Sequence, residues 1–145
     1  MLPEFNANGL LPPGVHVAEW EELVRRFGYN PWRVRLLIGL GTALDNLKLA
    51  GCRAAYIDGS FVTSKEYPND FDGCWDEVDV DPLALDPVLL DFGNDRVGQK
   101  AKYYGELLPA SVVEAASGLS FLEFFQTTAS GEPKGIVAID LEGWE

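Results

Sequence analysis

The sequence is poor in the residues that build thiol, imidazole or membrane-spanning sites. It contains one histidine, His16, and two cysteines, Cys52 and Cys74. This set does not support a zinc site, a Ser-His pair or a Cys-His pair. No apolar run is long enough to form a transmembrane helix. The N-terminus lacks the basic start and apolar stretch of a signal peptide, so we expect a cytoplasmic protein with reduced thiols.

Basic residues are also scarce, with 11 Lys and Arg against 23 Asp and Glu and a net charge of -12. An acidic chain repels nucleic acid at long range, which disfavours a tRNA ligand. Arg25, Arg26, Arg33 and Arg35 lie close together in the sequence. These arginines would favour a tRNA ligand only if they formed one basic patch on the surface. We expect them instead to be separate, solvated charges on helices.

The length of 145 residues predicts a single domain, residues 1–145. Proline and glycine recur in residues 1–14, so this part should be an irregular arm. Apolar spacing predicts helices over 17–27 and 31–50, the second of which has Asn30 as its N-cap. Gly39 and Gly41 weaken this second helix, and we expect them to let another element pack closely against it.

The rest of the chain shows a strand-rich pattern. We predict strands at 53–58, 70–75, around 88–92, in "YYGELLPA" and in "KGIVAIDL". A helical turn is expected in "RVGQKAKYY", and "LSFLEFFQ" suits either a helix or a strand. The fold class that follows is α/β or α+β, a mixed β-sheet with helices packed on one face.

One stretch, "YIDGSFVTSKEYPNDFDGCWD", carries the chemistry that we expect of this chain. A predicted strand breaks at Gly59-Ser60, and the next begins with Asp70 and Asp72. Strand alternation places both acids on one face, where they repel each other unless a cation such as Mg²⁺ binds them. Gly59 permits close backbone approach, and Ser60 offers a hydroxyl and an N–H to a phosphate. The alternative is a plain hairpin with a solvated polar rim.

Gly59-Ser60 followed by Asp70-x-Asp72 on the next strand resembles the signature of the nucleotidyltransferase superfamily, in the minimal form found in toxin–antitoxin modules. The longer string "DGSFVTSKEYPNDFD" resembles an uncharacterised bacterial branch of it. The resemblance implies that the Gly-Ser turn holds an NTP triphosphate, such as that of ATP, and that Asp70 and Asp72 bind Mg²⁺ or Mn²⁺. It also implies that a third carboxylate binds metal or acts as general base.

Two later residues are candidates for the third carboxylate, Glu106 and Asp140. We favour Glu106 because it lies within a predicted strand beside Gly105, whereas Asp140 falls near a strand end. The loop before Asp70 lacks a glycine often found in relatives. Lys65 is a candidate phosphate ligand there, with a solvated loop lysine as the alternative.

Two functions stay open at this point. One is transfer of an NMP from an NTP to a hydroxyl of a protein, a tRNA or a small molecule, in a toxin–antitoxin or phage-defence setting. The other is a catalytically silent nucleotidyltransferase-fold protein that regulates a partner through its apolar arm and acidic loop. The chain leaves no room for a second domain that would hold the acceptor, so we expect a protein partner or a homodimer to supply that surface.

Overall fold

The computed structural model describes residues 1–144, which form one mixed β-sheet with α-helices on both faces. The strands are β1 (Gly14–Ala18), β2 (Ala54–Asp58), β3 (Phe71–Trp75), β4 (Gly105–Pro109) and β5 (Gly135–Asp140). The helices are α1 (Trp20–Phe27), α2 (Pro31–Leu49), α3 (Val97–Tyr103) and α4 (Phe121–Phe124). Short 3₁₀ turns occur at Ser60–Val62, Pro87–Leu90 and Asn94–Arg96. The predicted mixed α and β fold class is therefore confirmed.

The strands lie in the order β1-β5-β2-β3-β4. β2 is antiparallel to both of its neighbours, β5 and β3, whereas β1 pairs parallel with β5 and β4 pairs parallel with β3. The motif strands β2 and β3 therefore lie side by side near the middle of the sheet. The connection between them is the segment that begins with Gly59-Ser60.

The main core lies between one sheet face and the helices α1, α2 and α3. Asn30 caps α2 by accepting a hydrogen bond from the Arg33 N–H at 2.8 Å, and Pro31 occupies the first helical turn. These two signals fix the start of the helix and so the side that its leucines present. The sheet contributes alternate residues to this core, among them Ile57, Phe71, Leu107 and Val137.

The opposite sheet face carries a second, smaller cluster. Cys74, Leu108 and Ile136 pack there against Phe125, which follows α4. The expectation of helices on one face holds for α1, α2 and α3, whereas α4 lies on the other. This cluster covers only part of the second face. Nearer the Gly-Ser turn the same face carries the polar residues Asp58 and Asp72.

Three local predictions differ from the structure. Residues 88–92 were expected to form a strand, but Asp86 caps and Pro87 opens a 3₁₀ turn, Pro87–Leu90. β1 was missed because its pairing partner, β5, lies about 120 residues away in the sequence and no local pattern reveals it. α1 accordingly starts later than expected, at Trp20. Within residues 1–144, no helix has the length and apolar character required to cross a membrane.

The N-terminal arm is part of the domain. Leu2 and Leu11 are buried in the main core, and Arg26 donates a hydrogen bond to the Pro3 carbonyl at 2.8 Å. The arm therefore does not offer these apolar side chains to a partner, as the regulatory alternative had expected.

Gly39 and Gly41 provide a matched pair that tests the packing of α2. A Cβ at Gly39 would overlap the Tyr103 carbonyl oxygen at the end of α3, whereas a Cβ at Gly41 would lie 3.3 Å from Trp20 Cζ2, an ordinary side chain. We expect Gly39→Ala to lower the free energy of unfolding by at least about 2 kcal/mol despite its better helix propensity.

Gly41→Ala should change the same quantity by less than about 1 kcal/mol, because the helix gains propensity and the indole ring can shift. Urea unfolding of both variants measures the difference. Equal stabilities would show that α3 does not pack on Gly39 as described.

Candidate functional site

Three carboxylates form a row across neighbouring strands on the face that carries α4. Asp58 on β2 pairs with Asp72 on β3, and Asp72 pairs with Glu106 on β4. Residues directly opposite each other on adjacent strands have Cβ atoms about 5 Å apart. We call Asp58, Asp72 and Glu106 the acid row. Phe71 faces the main core, as the alternation predicted.

Asp72, in the middle of the acid row, has the most perturbed ionisation. Burial together with the charges of Asp70, Glu106 and Asp58 raises the pKa of Asp72 to about 8. Asp72 also shares a hydrogen bond with Glu106. Burial and the neighbouring acids both disfavour the ionised form, so Asp72 holds a proton near neutral pH when no cation is present.

Basic side chains pair with the two ends of the acid row. Lys134 Nζ lies 3.3 Å from Asp58 Oδ1, although burial still keeps the pKa of Asp58 above its usual value. Arg96 Nε lies 2.5 Å from Glu106 Oε2, and Lys100 Nζ lies 3.9 Å from the same oxygen. In the described part of the chain, no ion pair reaches Asp72.

Asp70 lies just outside β3 and is partly exposed. Burial raises the pKa of Asp70, with Glu106 adding to the effect and Lys100 and Lys65 opposing it. Asp70 therefore lies close enough to the acid row for their charges to interact. The exposed side chain of Lys65 acts on Asp70 through its charge, and the structure shows no hydrogen bond from it among residues 1–144.

The Gly-Ser turn lies directly against the acid row. Gly59 has φ +82°, a conformation that L side chains rarely adopt, and a Cβ there would overlap Oδ2 of Asp72. Glycine is therefore required both by the backbone and by the neighbouring carboxylate. Ser60 follows directly and opens the 3₁₀ turn Ser60–Val62.

A buried arginine holds the segment that follows this turn. Arg33 of α2 is fully buried, which corrects the expectation that it is a solvated helix charge. Its guanidinium donates hydrogen bonds to the carbonyls of Phe61 at 2.7 Å, Thr63 at 3.0 Å and Lys65 at 2.5 Å. Arg33 also donates to the Phe27 carbonyl at 3.2 Å. One side chain thus positions the loop between the Gly-Ser turn and Asp70.

The other arginines do not form a common patch with Arg33. Arg26 is occupied by the N-terminal arm, and Arg35 lies over the Tyr104 ring with its guanidinium carbon 4.5 Å from the centroid. Arg25 is exposed. Arg26 and Arg33 are therefore engaged within the fold, whereas Arg25 and Arg35 lie at the surface.

The two candidates for a third carboxylate occupy different places. Glu106 is buried in the acid row, beside Asp72. Asp140 is exposed and pairs with Ala54, at the end of β2 remote from Asp58. The structure brings Glu106, and not Asp140, to the predicted acids.

Four contributors to the site were not expected from the sequence. Asp58 ends β2 directly before the Gly-Ser turn, and it completes the acid row. Its place at the end of a strand that alternates in phase with Asp72 was an available signal. Arg96, Lys100 and Lys134 reach the acids from loops and helices whose positions only the folded chain defines.

Asp70 and the acid row together supply some, but not all, of the ligands that a divalent cation requires. Asp70 and Asp72 offer carboxylate oxygens, the ligands that Mg²⁺ prefers, and Asp72 lacks a basic partner. Glu106 Oε2 is already paired with Arg96. Across residues 1–144, no three His, Cys, Asp or Glu side chains are arranged to hold a metal ion as they stand. Glu106 would fit as a third ligand only after Arg96 moves.

Comparison with known proteins identifies the family. A model of a family of unknown function, DUF6932, matches residues 3–140. The chain belongs to the DUF6932 family. No curated protein and no solved structure gives a significant match to this DUF6932 member. The match includes the Gly-Ser turn, the acid row and the arginine that holds the loop.

The ionisation of Asp72 makes the stability of this DUF6932 protein depend on pH. The folded pKa of about 8 lies above the value near 4 expected in the unfolded chain. Between these values the folded state holds a proton that the unfolded state has lost, so stability should fall as pH rises from about 5 to 8. One such group contributes at most about 1.4 kcal/mol per pH unit.

Asp72→Asn should flatten this slope, whereas Asp140→Asn, an exposed control, should leave it unchanged. Urea unfolding at several pH values between about 5 and 8 measures both. An Asp72→Asn slope equal to that of the parent would rule out Asp72 as its source.

Proposed function

We propose that this protein is a Mg²⁺-dependent nucleotidyltransferase, which moves an NMP from an NTP to an acceptor hydroxyl and releases pyrophosphate. The observation that carries the proposal is the position of Asp72. It lies between two other carboxylates and against Gly59 of the turn, and among residues 1–144 no basic side chain forms an ion pair with it. A site of this kind gains from a cation at the acids and an anion at the turn.

Each residue has a role in this proposal. Gly59 and Ser60 bind the triphosphate through backbone N–H and hydroxyl groups, and Lys65 adds positive charge nearby. Asp70 and Asp72 hold the cation, which supplies Lewis-acid polarisation of the phosphoryl group when bound. Glu106 lies beside them and accepts the proton of the acceptor hydroxyl, a contribution worth about 10²–10⁴ in rate.

The charge of the protein helps to distinguish between tRNA, protein and small-molecule acceptors. A net charge of -12 and arginines engaged in internal contacts weigh against tRNA. We therefore favour a protein hydroxyl or a small molecule. A toxin–antitoxin or phage-defence role rests on the resemblance of the motif alone.

One observation favours the alternative of a catalytically silent binding protein. Arg96 and Lys100 already neutralise Glu106, and Lys134 neutralises Asp58. In a protein that has lost its metal, internal cations of this kind would preserve the fold while the chemistry is absent. Partner binding would then be the remaining function.

Nucleotide binding separates the two functions. We expect an NTP to raise the melting temperature only with Mg²⁺ or Mn²⁺, because the acid row alone repels the triphosphate. At a ligand concentration 100-fold above Kd the stabilisation is about 2.7 kcal/mol. The double variant Asp70→Asn with Asp72→Asn should remain folded and lose the shift.

The matched control is Glu19→Gln with Glu21→Gln, two exposed acids at the same spacing. It removes equal charge and should keep the shift. Binding that persists in excess chelator, or in the Asp70/Asp72 variant, would refute the metal-dependent site.

Transfer chemistry tests the third carboxylate. Incubation with each labelled NTP, Mg²⁺ and a cell lysate shows which nucleotide is transferred and to which class of acceptor. Glu106→Gln should lower transfer by about 10²-fold or more, because the general base is lost. It should leave most NTP binding intact. Asp140→Asn should transfer at the parent rate, and the reverse pattern would assign the role to Asp140.

A further inference from the structure

Arg96 reaches the acid row from an unusual backbone segment. Asn94, Asp95 and Arg96 have φ values of 50°, 54° and 59°, so three consecutive non-glycine residues adopt the left-handed conformation. Such residues are uncommon even singly, and they persist only where surrounding contacts hold them. The segment directly precedes α3, which packs on Gly39 of α2.

Few contacts hold this left-handed segment in place. Asn94 and Asp95 are exposed, and the Arg96 N–H donates to the Gly93 carbonyl within the segment itself. Over the described residues, its one side-chain hydrogen bond to the body of the protein runs from Arg96 Nε to Glu106 Oε2. The ion pair with Glu106 is therefore the side-chain hydrogen bond that joins this exposed, left-handed segment to the sheet within residues 1–144.

The same ion pair conflicts with a cation at the acid row. Glu106 Oε2 faces Arg96 at 2.5 Å and Lys100 at 3.9 Å, so a divalent cation that used this oxygen would lie against two positive side chains. That repulsion is large at such distances. Arg96 belongs to an exposed segment, whereas Lys100 lies within α3, so Arg96 has more freedom to leave.

We propose that Arg96 is a phosphate-binding residue with two positions, paired with Glu106 in the free protein and turned to the polyphosphate when metal and nucleotide bind. This inference rests on the proposed nucleotidyltransferase function. A guanidinium binds phosphate oxygens through two parallel hydrogen bonds, which a lysine cannot reproduce. Release of the left-handed backbone accompanies the movement. Arg96 thus stabilises the acid row when it is empty and contributes to the site when it is filled.

If Arg96 has these two positions, replacing it should have opposite effects on the affinities for metal and for polyphosphate. In Arg96→Gln, the competitor for Glu106 is gone, so Mn²⁺ alone should bind about tenfold more tightly. The same variant lacks the phosphate ligand, so inorganic tripolyphosphate with saturating Mg²⁺ should bind about tenfold more weakly. Calorimetric titration at constant ionic strength measures both affinities, because screening would otherwise alter them.

Two further variants complete the experiment. Arg53→Gln removes an exposed arginine that pairs with Asp79 away from the acid row, and it should change neither affinity. Arg96→Lys keeps the charge without the planar fork, so it should resemble the parent with Mn²⁺ and recover only part of the tripolyphosphate affinity. If Arg96→Gln does not fold, the tripolyphosphate affinity of Arg96→Lys still tests the phosphate-binding role of Arg96.

Each result has a distinct meaning. Opposite shifts in Arg96→Gln support the two positions of Arg96. Affinities that stay unchanged or move together overturn this inference and leave the nucleotidyltransferase proposal standing. If the parent protein binds neither Mn²⁺ nor Mg²⁺-tripolyphosphate, both proposals are overturned.

Discussion

The position of Asp72, partly buried between two other carboxylates, is the constraint on which the surrounding structure depends. Strand pairing places Asp58 and Glu106 on either side of it. Burial, with the charges of Asp70, Glu106 and Asp58 adding to it, raises the pKa of Asp72 to about 8. Like charges held this close oppose folding unless protons or cations offset them. Lys134 and Arg96 offset the two ends of the acid row, and a proton offsets its centre. The pairing of three strands therefore fixes a cluster of negative charge, which these two basic side chains and a proton offset.

A second constraint fixes the position of the Gly-Ser turn beside this row. Arg33 is buried and donates to the carbonyl of Phe27 at the end of α1 and to those of Phe61 and Lys65 after the turn. Buried acceptors left without these donors would each cost about 1–3 kcal/mol, so the loop cannot move without disturbing α2. Arg33 of α2 thus helps to keep the Gly-Ser turn in its position beside Asp72.

The sequence predicted the parts of this fold that depend on local patterns. Asn30 and Pro31 define the start of α2, and alternation placed Phe71 in the core and Asp72 on the other face. β1 could not be predicted, because its strand character comes from pairing with β5 far along the chain. Tertiary context likewise reversed the expectation for Arg33, whose charge is satisfied by loop carbonyls that are distant in the sequence.

The position of Arg96 bears on whether the acid row is an active or a silent site. A protein that had given up metal binding would gain from a permanent internal cation, and such a cation would be expected on a relaxed, well-packed element. Arg96 instead stands on three left-handed residues that are largely exposed. Backbone strain of this kind costs on the order of 1–3 kcal/mol per residue and is found at functional sites where a conformational change releases it. A strained partner for Glu106 is therefore easier to reconcile with an acid row that is periodically emptied of Arg96 than with one that is permanently closed by it.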